Sequence, residues 1–125
     1  MPEEERKRRV MSDPDAIVFI YSTAPSQAEA ERLAGAVIEA GHAACVNMLP
    51  GMNSIYMWQG ELHSESEVAL LFKTTQQSCR AAMDTIVRMH PYDTPAVTAF
   101  AACDVDPRFA EWVRTETGAE TRDKN

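Results

Sequence analysis

The segment Met89-His-Pro-Tyr-Asp-Thr-Pro95 carries the densest set of chemically able side chains in the sequence. Pro91 and Pro95 fix their own φ and exclude the residues before them from the helical region, so His90 and Thr94 are held extended. An imidazole, a phenol and a carboxylate, at His90, Tyr92 and Asp93, are then presented with little freedom to move, as a binding site requires. The same residues also read as a rigid turn from helix to strand with Tyr92 packed as a lid. Composition alone leaves both readings open. His90 falls at the end of a helical pattern, where the negative pole favours imidazolium, so a proton competes with any metal and binding weakens in mild acid.

Other candidates are more scattered. Lys73 follows the apolar run Val68–Phe72 and is either the solvent-facing end of a strand or the partner of a carboxylate such as Glu61 in a cleft. Cys45 sits among small and apolar neighbours and reads as an inert core thiol, while His42 and His63 lie beside turn residues as surface groups. An enzyme using His90 and Glu61 as acid and base ranks last, because no set of nucleophile, base and orienting group is legible. A glycine-rich phosphate loop is also missing, which weighs against a nucleotide ligand.

Composition narrows the classes further. With 12 basic and 19 acidic residues the formal net charge is -7, which disfavours nucleic acid and anionic membranes. Cationic partners fit, although a surplus of carboxylates also serves solubility alone. The cysteines, Cys45, Cys79 and Cys103, form no C-x-x-C pair and suit a reducing compartment, so the expected location is the cytoplasm. No apolar run reaches the ~18 residues of a membrane span, and the charged first residues lack the apolar segment of a signal peptide.

One domain of 125 residues must position these groups. Ile17–Tyr21 reads as a central strand, and Ser26 with Glu29 three residues on as a capping box opening a helix. That helix has its stripe at Ala30, Leu33, Ala34, Val37 and Ile38 and its stop at Gly41. Ala43–Thr74 reads as sheet: strand Ala43–Leu49, a turn or bend at Pro50-Gly51, then a strand from Ser54 in which Gly60 is either a hairpin turn or a bulge, the bulge being preferred with a reversal near Ser64-Glu65, returning as Glu67–Thr74. Thr75 caps a second helix with apolar positions Cys79, Ala82, Met83, Ile86 and Val87, ending at His90. Ala96–Cys103 is a strand, and Asp106-Pro107 opens a last helix with Phe109, Trp112 and Val113 on its docking face. The order is βαββαβ plus a helix, an α+β ferredoxin-like sandwich spanning residues 16–117, with a charged tail over 1–15 expected to be disordered and a polar tail over 118–125. Two long helices cover one face of the sheet, and strands apolar on both faces call for a second copy on the other.

The segment LPGMNSIYMWQGELHSESEVALLFKT followed by HPYDTP resembles the CutA family of divalent-cation tolerance proteins. The likeness runs from Ile17 to about Thr115 and includes Thr23-Ala-Pro25, Ala44-Cys45, the Ser54–Gly60 run and His90–Pro95. It implies a ferredoxin-like homotrimer with the shape of PII signalling proteins, no enzymatic activity, no required cofactor, and a link to divalent metal, copper above all. It marks Cys45, Trp58, Glu61, Lys73, His90, Pro91, Tyr92 and Pro95 as characteristic. Its alternative form is a PII-like sensor with a small molecule in inter-subunit clefts lined by Trp58, Glu61, Lys73, His90 and Tyr92. Copper sites proposed for the family use a cysteine before Thr-Ala-Pro and two histidines before Pro-Tyr, where this chain has Ser22, Met89 and His90. With His90 and the Met89 thioether left, a weak site shifted toward Cu(I) is expected.

Overall fold

The computed structural model describes residues 2–4 and 13–118. Four strands, β1 (Ile17–Ala24), β2 (Cys45–Trp58), β3 (Glu61–Thr75) and β4 (Val97–Ala101), form one antiparallel sheet in the order β2-β3-β1-β4. Helices α1 (Gln27–Glu39) and α2 (Gln76–Met89) connect them, and α3 (Pro107–Glu116) follows β4. This is the ferredoxin-like sandwich that the alternation of elements implies. The period of two along β1 divides its side chains. Val18, Ile20 and Ala24 join Leu33, Val37, Leu70, Phe72 and Ile86 in the main core under α1 and α2. Ile17 and Phe19 face the other way and pack with Ala110, Val113 and Phe109 of α3. The opposite face is therefore partly covered from within the chain, at one end, by the last helix.

Ser26, Thr75 and Asp106 cap their helices as the sequence suggests, but the capping box at Ser26 is only half made. Ser26 Oγ accepts from the Glu29 N–H at 3.2 Å, whereas the Glu29 carboxylate turns outward to Arg32 at 2.7 Å. Arg32 also donates to the Met89 carbonyl at 2.5 Å, tying α1 to the end of α2 beside the Pro91–Pro95 segment. Gly41, at φ 78°, supplies the left-handed residue that ends α1. Thr75 Oγ accepts from the Ser78 N–H at 3.4 Å, and Asp106 Oδ2 accepts from Arg108 and Phe109 at 3.1 and 3.2 Å. In α2 the buried face is Cys79, Ala82, Thr85 and Ile86. Val87, expected in that stripe, is exposed, because the inward direction passes through Thr85.

The β2–β3 connection departs from expectation. The chain reverses at Gln59-Gly60, not near Ser64-Glu65, and Gly60 is a turn residue and not a bulge. Gln59 and Gly60 have φ of 50° and 81°, the paired left-handed conformation of a tight hairpin whose twist matches its strands. Trp58 then lies opposite Glu61, Tyr56 opposite His63, Ser54 opposite Glu65 and Met52 opposite Glu67. The one bulge falls at Pro50-Gly51, where the register shifts between Leu49 and Met52 and the strand runs on.

Because β1 reaches β3 only over Val68–Thr75, the stretch from 52 to 67 leaves the body as a two-stranded arm. Ile55 and Leu62 on it are 70% and 71% exposed. At the chain ends, the Pro14 carbonyl accepts from the Gln77 N–H at 3.0 Å and the Asp15 carbonyl from Arg114 at 3.0 Å, so the body begins a little before residue 16. Residues 1, 5–12 and 119–125 of the two expected tails lie outside the described residues.

Candidate functional site

The bulge at Pro50-Gly51 decides which side chains of the arm can act. Before it, Val46 and Met48 pack against the main core; one extra residue reverses the alternation, so Ser54, Tyr56 and Trp58 turn to the opposite face. There they stand beside His63, Glu65 and Glu67 from β3. Tyr21 and Thr23 of β1 form the floor, and Tyr92, Asp93, Thr94 and Ala96 close the side. The result is an open hollow of about 680 Å³. No lysine or arginine is among its lining residues, which include three carboxylates, Glu65, Glu67 and Asp93.

His90 holds this wall from behind. The residue is 9% exposed, with Nε2 2.6 Å from the Thr23 carbonyl oxygen, while the Tyr92 N–H donates to Nδ1 at 3.1 Å. A carbonyl only accepts and an N–H only donates, so Nε2 carries the proton and the imidazole is neutral with both nitrogens engaged. The rings of His90 and Tyr92 lie 4.8 Å apart. Tyr92 in turn donates its hydroxyl to Glu67 Oε2 at 3.1 Å. Burial first, then the hydrogen bond to Glu67 and its charge, push the Tyr92 hydroxyl up to about 12. Tyr56, stacked on His63 at 5.4 Å, is raised too, by lost solvation and then by the adjacent Glu65. The field in the hollow is negative and favours cations.

Of the residues singled out from sequence, Trp58 and Tyr92 line the hollow, and His90 braces Tyr92 without lining it. Glu61 sits at the arm tip opposite Trp58. Lys73 lies at the far end of the same strand, a span from 61 to 73 on the order of 40 Å at ~3.3 Å per residue. Within one chain these two cannot meet. Lys73 instead bonds Asn47 and lies 5.9 and 5.7 Å from the ring centres of Phe19 and Phe109. Met89 packs its side chain against the main core. Ser22 is fully buried between Leu70 and Val97, and its hydroxyl has no partner. Among the described residues, no group of three or more His, Cys, Asp or Glu side chains is placed to hold a metal ion. The site residues missed from sequence are Tyr56, His63, Glu65 and Glu67. For the last three the signal is the alternation Glu61-x-His63-x-Glu65-x-Glu67, one polar face of a strand, which Tyr56 on the neighbouring strand does not share.

The family of the CutA1 divalent ion tolerance protein matches the chain over residues 18–116. The divalent-cation tolerance protein CutA of Yersinia pestis (strain Pestoides F) is 38% identical over 108 residues, covering 82% of this chain and 91% of that protein. Among solved structures, the divalent ion tolerance protein CutA1 of Ehrlichia chaffeensis superposes with a TM-score of 0.80 at 32% identity, over 82% of this chain and 96% of that one. The Archaeoglobus fulgidus CutA, described as a periplasmic divalent cation tolerance protein, gives 0.77 at 35% identity, over 80% and 97%.

Proposed function

The chain belongs to the CutA1 divalent ion tolerance family, and on that premise we propose that it is a non-enzymatic divalent-cation binding and tolerance protein acting as a homotrimer. The observation that carries the cation part is the hollow itself: Glu65, Glu67 and Asp93 line one space that no basic side chain lines, although within one chain they do not converge into a set that holds a metal ion. Carboxylates and phenols suit divalent cations held loosely, with water or a neighbouring copy completing the shell. Copper at His90 and Met89 is the narrower form of this reading. It requires the imidazole to give up the Thr23 carbonyl or the Tyr92 N–H, so it is weak.

The arm supports the trimer. A two-stranded ribbon exposing Ile55, Met57 and Leu62 is marginal alone and gains stability against another copy. Obligate interfaces of this kind bury on the order of 2,000 Å² or more. Such packing also lets Glu61 and Lys73, far apart in one chain, approach across copies. The unpaired cysteines favour the cytoplasm, the Archaeoglobus relative being described as periplasmic.

A second reading is a PII-like sensor that binds a small molecule where copies meet. The aromatic lining by Tyr21, Tyr56, Trp58 and Tyr92 favours it, since bare metal ions gain little from such surfaces. Calorimetric titration of Cu(II) and Zn(II) into the protein, with its mass checked by light scattering, tests the first reading. Saturable binding to a trimer, weakened by Glu65→Gln with Glu67→Gln, is the expected result. A protein that binds neither ion, or one that is a compact monomer at micromolar concentration, overturns it.

A further inference from the structure

We propose that the hollow beneath the arm takes an organic ammonium ion, a small alkylated amine, with its charge set against Glu65 and Glu67 and its carbon groups against Trp58 and Tyr92. This rests on the small-molecule reading above and names the class of ligand. A space of about 680 Å³ is far larger than one ion and falls within the ~300–1,000 Å³ of small-molecule sites. Its walls combine aromatic rings with carboxylates and present no basic side chain, so an anion finds no counter-charge there. A bare divalent ion prefers oxygen donors and keeps its water, leaving the aromatic surface unused. An alkylated ammonium uses both surfaces. It attracts ring electrons without needing strong hydrogen bonds, and its charge is offset by carboxylates at the same wall.

The site is also organised in advance. Tyr92 is held at both ends, its N–H on the His90 ring and its hydroxyl on Glu67. His90 is held in turn by the Thr23 carbonyl at 2.6 Å. Ordering a side chain on binding costs affinity, and for Tyr92 that ordering precedes the ligand. Tyr56 is likewise fixed by stacking on His63 at an interplanar angle of 13°.

The test is calorimetric titration of the full chain with tetramethylammonium chloride, with tert-butanol as a neutral ligand of similar shape and sodium chloride as the salt control. The expected result is saturable binding of tetramethylammonium and at least tenfold weaker binding of tert-butanol. Trp58→Leu should weaken the ammonium about tenfold, and Glu65→Gln with Glu67→Gln by at least as much, in variants whose mass and circular dichroism match the parent. Equal binding of both ligands leaves a small-molecule site in place and overturns the choice of a cation. Absence of binding by either ligand overturns the inference and the sensor reading together. Ammonium binding that survives Trp58→Leu unchanged places the ion elsewhere and also overturns the inference.

Discussion

Replacing Ser22 by alanine should stabilise the protein, although Ser22 lies in the centre of the sheet. The hydroxyl is fully buried and makes no hydrogen bond, with Leu70 and Val97 as its cross-strand neighbours. Burying an unsatisfied hydroxyl costs about 1–3 kcal/mol on protein mutational scales. Alanine removes that penalty and leaves a gap of one oxygen atom, smaller than the methyl-sized void that costs ~1 kcal/mol. The net gain is about 1 kcal/mol, which for a domain of roughly this size raises the melting midpoint by about 5 °C. Urea and thermal unfolding followed by far-ultraviolet circular dichroism measure it, at one fixed protein concentration because assembly adds to apparent stability. A lower midpoint for Ser22→Ala with an unchanged denaturant slope would mean that the hydroxyl is satisfied, and the reasoning fails.

Four further outcomes follow from the same geometry. The Tyr92 phenol, raised from an ordinary 10.0 to about 12, contributes stability that is fully present below about pH 10 and is lost as pH climbs through about 12. Ultraviolet titration of tyrosinate should show the latest-ionising group, Tyr92, moving earlier in Glu67→Gln. His90→Ala removes the hydrogen bonds to Thr23 and Tyr92 and should cost about 2 kcal/mol in urea unfolding; a loss near zero would show that the imidazole does not brace the wall. Gly60→Ala forces a side chain into φ 81° and should lower stability by about 1 kcal/mol, whereas the same change at Gly35, which has open space and no positive φ, should raise it. Ile55→Asp with Leu62→Asp should shift the mass in light scattering from trimer toward monomer; an unchanged trimer would place the interface away from that face of the arm.

The first half of the fold is legible because its signals are local and agree. Ser26, the stripe from Ala30 to Val37 and Gly41 each mark α1 by a separate mechanism. The hairpin is not legible because Gln59 occupies a left-handed position usually held by Asn or Asp, so the turn has only Gly60 to announce it. That misplaced reversal hides the ladder, and with it the fact that Tyr56 and Trp58 face Glu65 and Glu67. Within one chain the Lys73–Glu61 contact is excluded for a related reason, since a single strand from Glu61 to Thr75 places them at its opposite ends. His90 is recognisable as held by Pro91, but its bond to the Thr23 carbonyl joins residues 67 apart and has no sequence signal.

Entry of divalent cations into the hollow through Glu65 and Glu67 can be read from amide spectra recorded with substoichiometric Mn(II). Paramagnetic broadening should centre on the amides of Glu65, Glu67 and Tyr92 and disappear in Glu65→Gln with Glu67→Gln. Broadening centred instead on Ser22 and Met89, or on Asn47 and Lys73, or left intact by the double substitution, would contradict it.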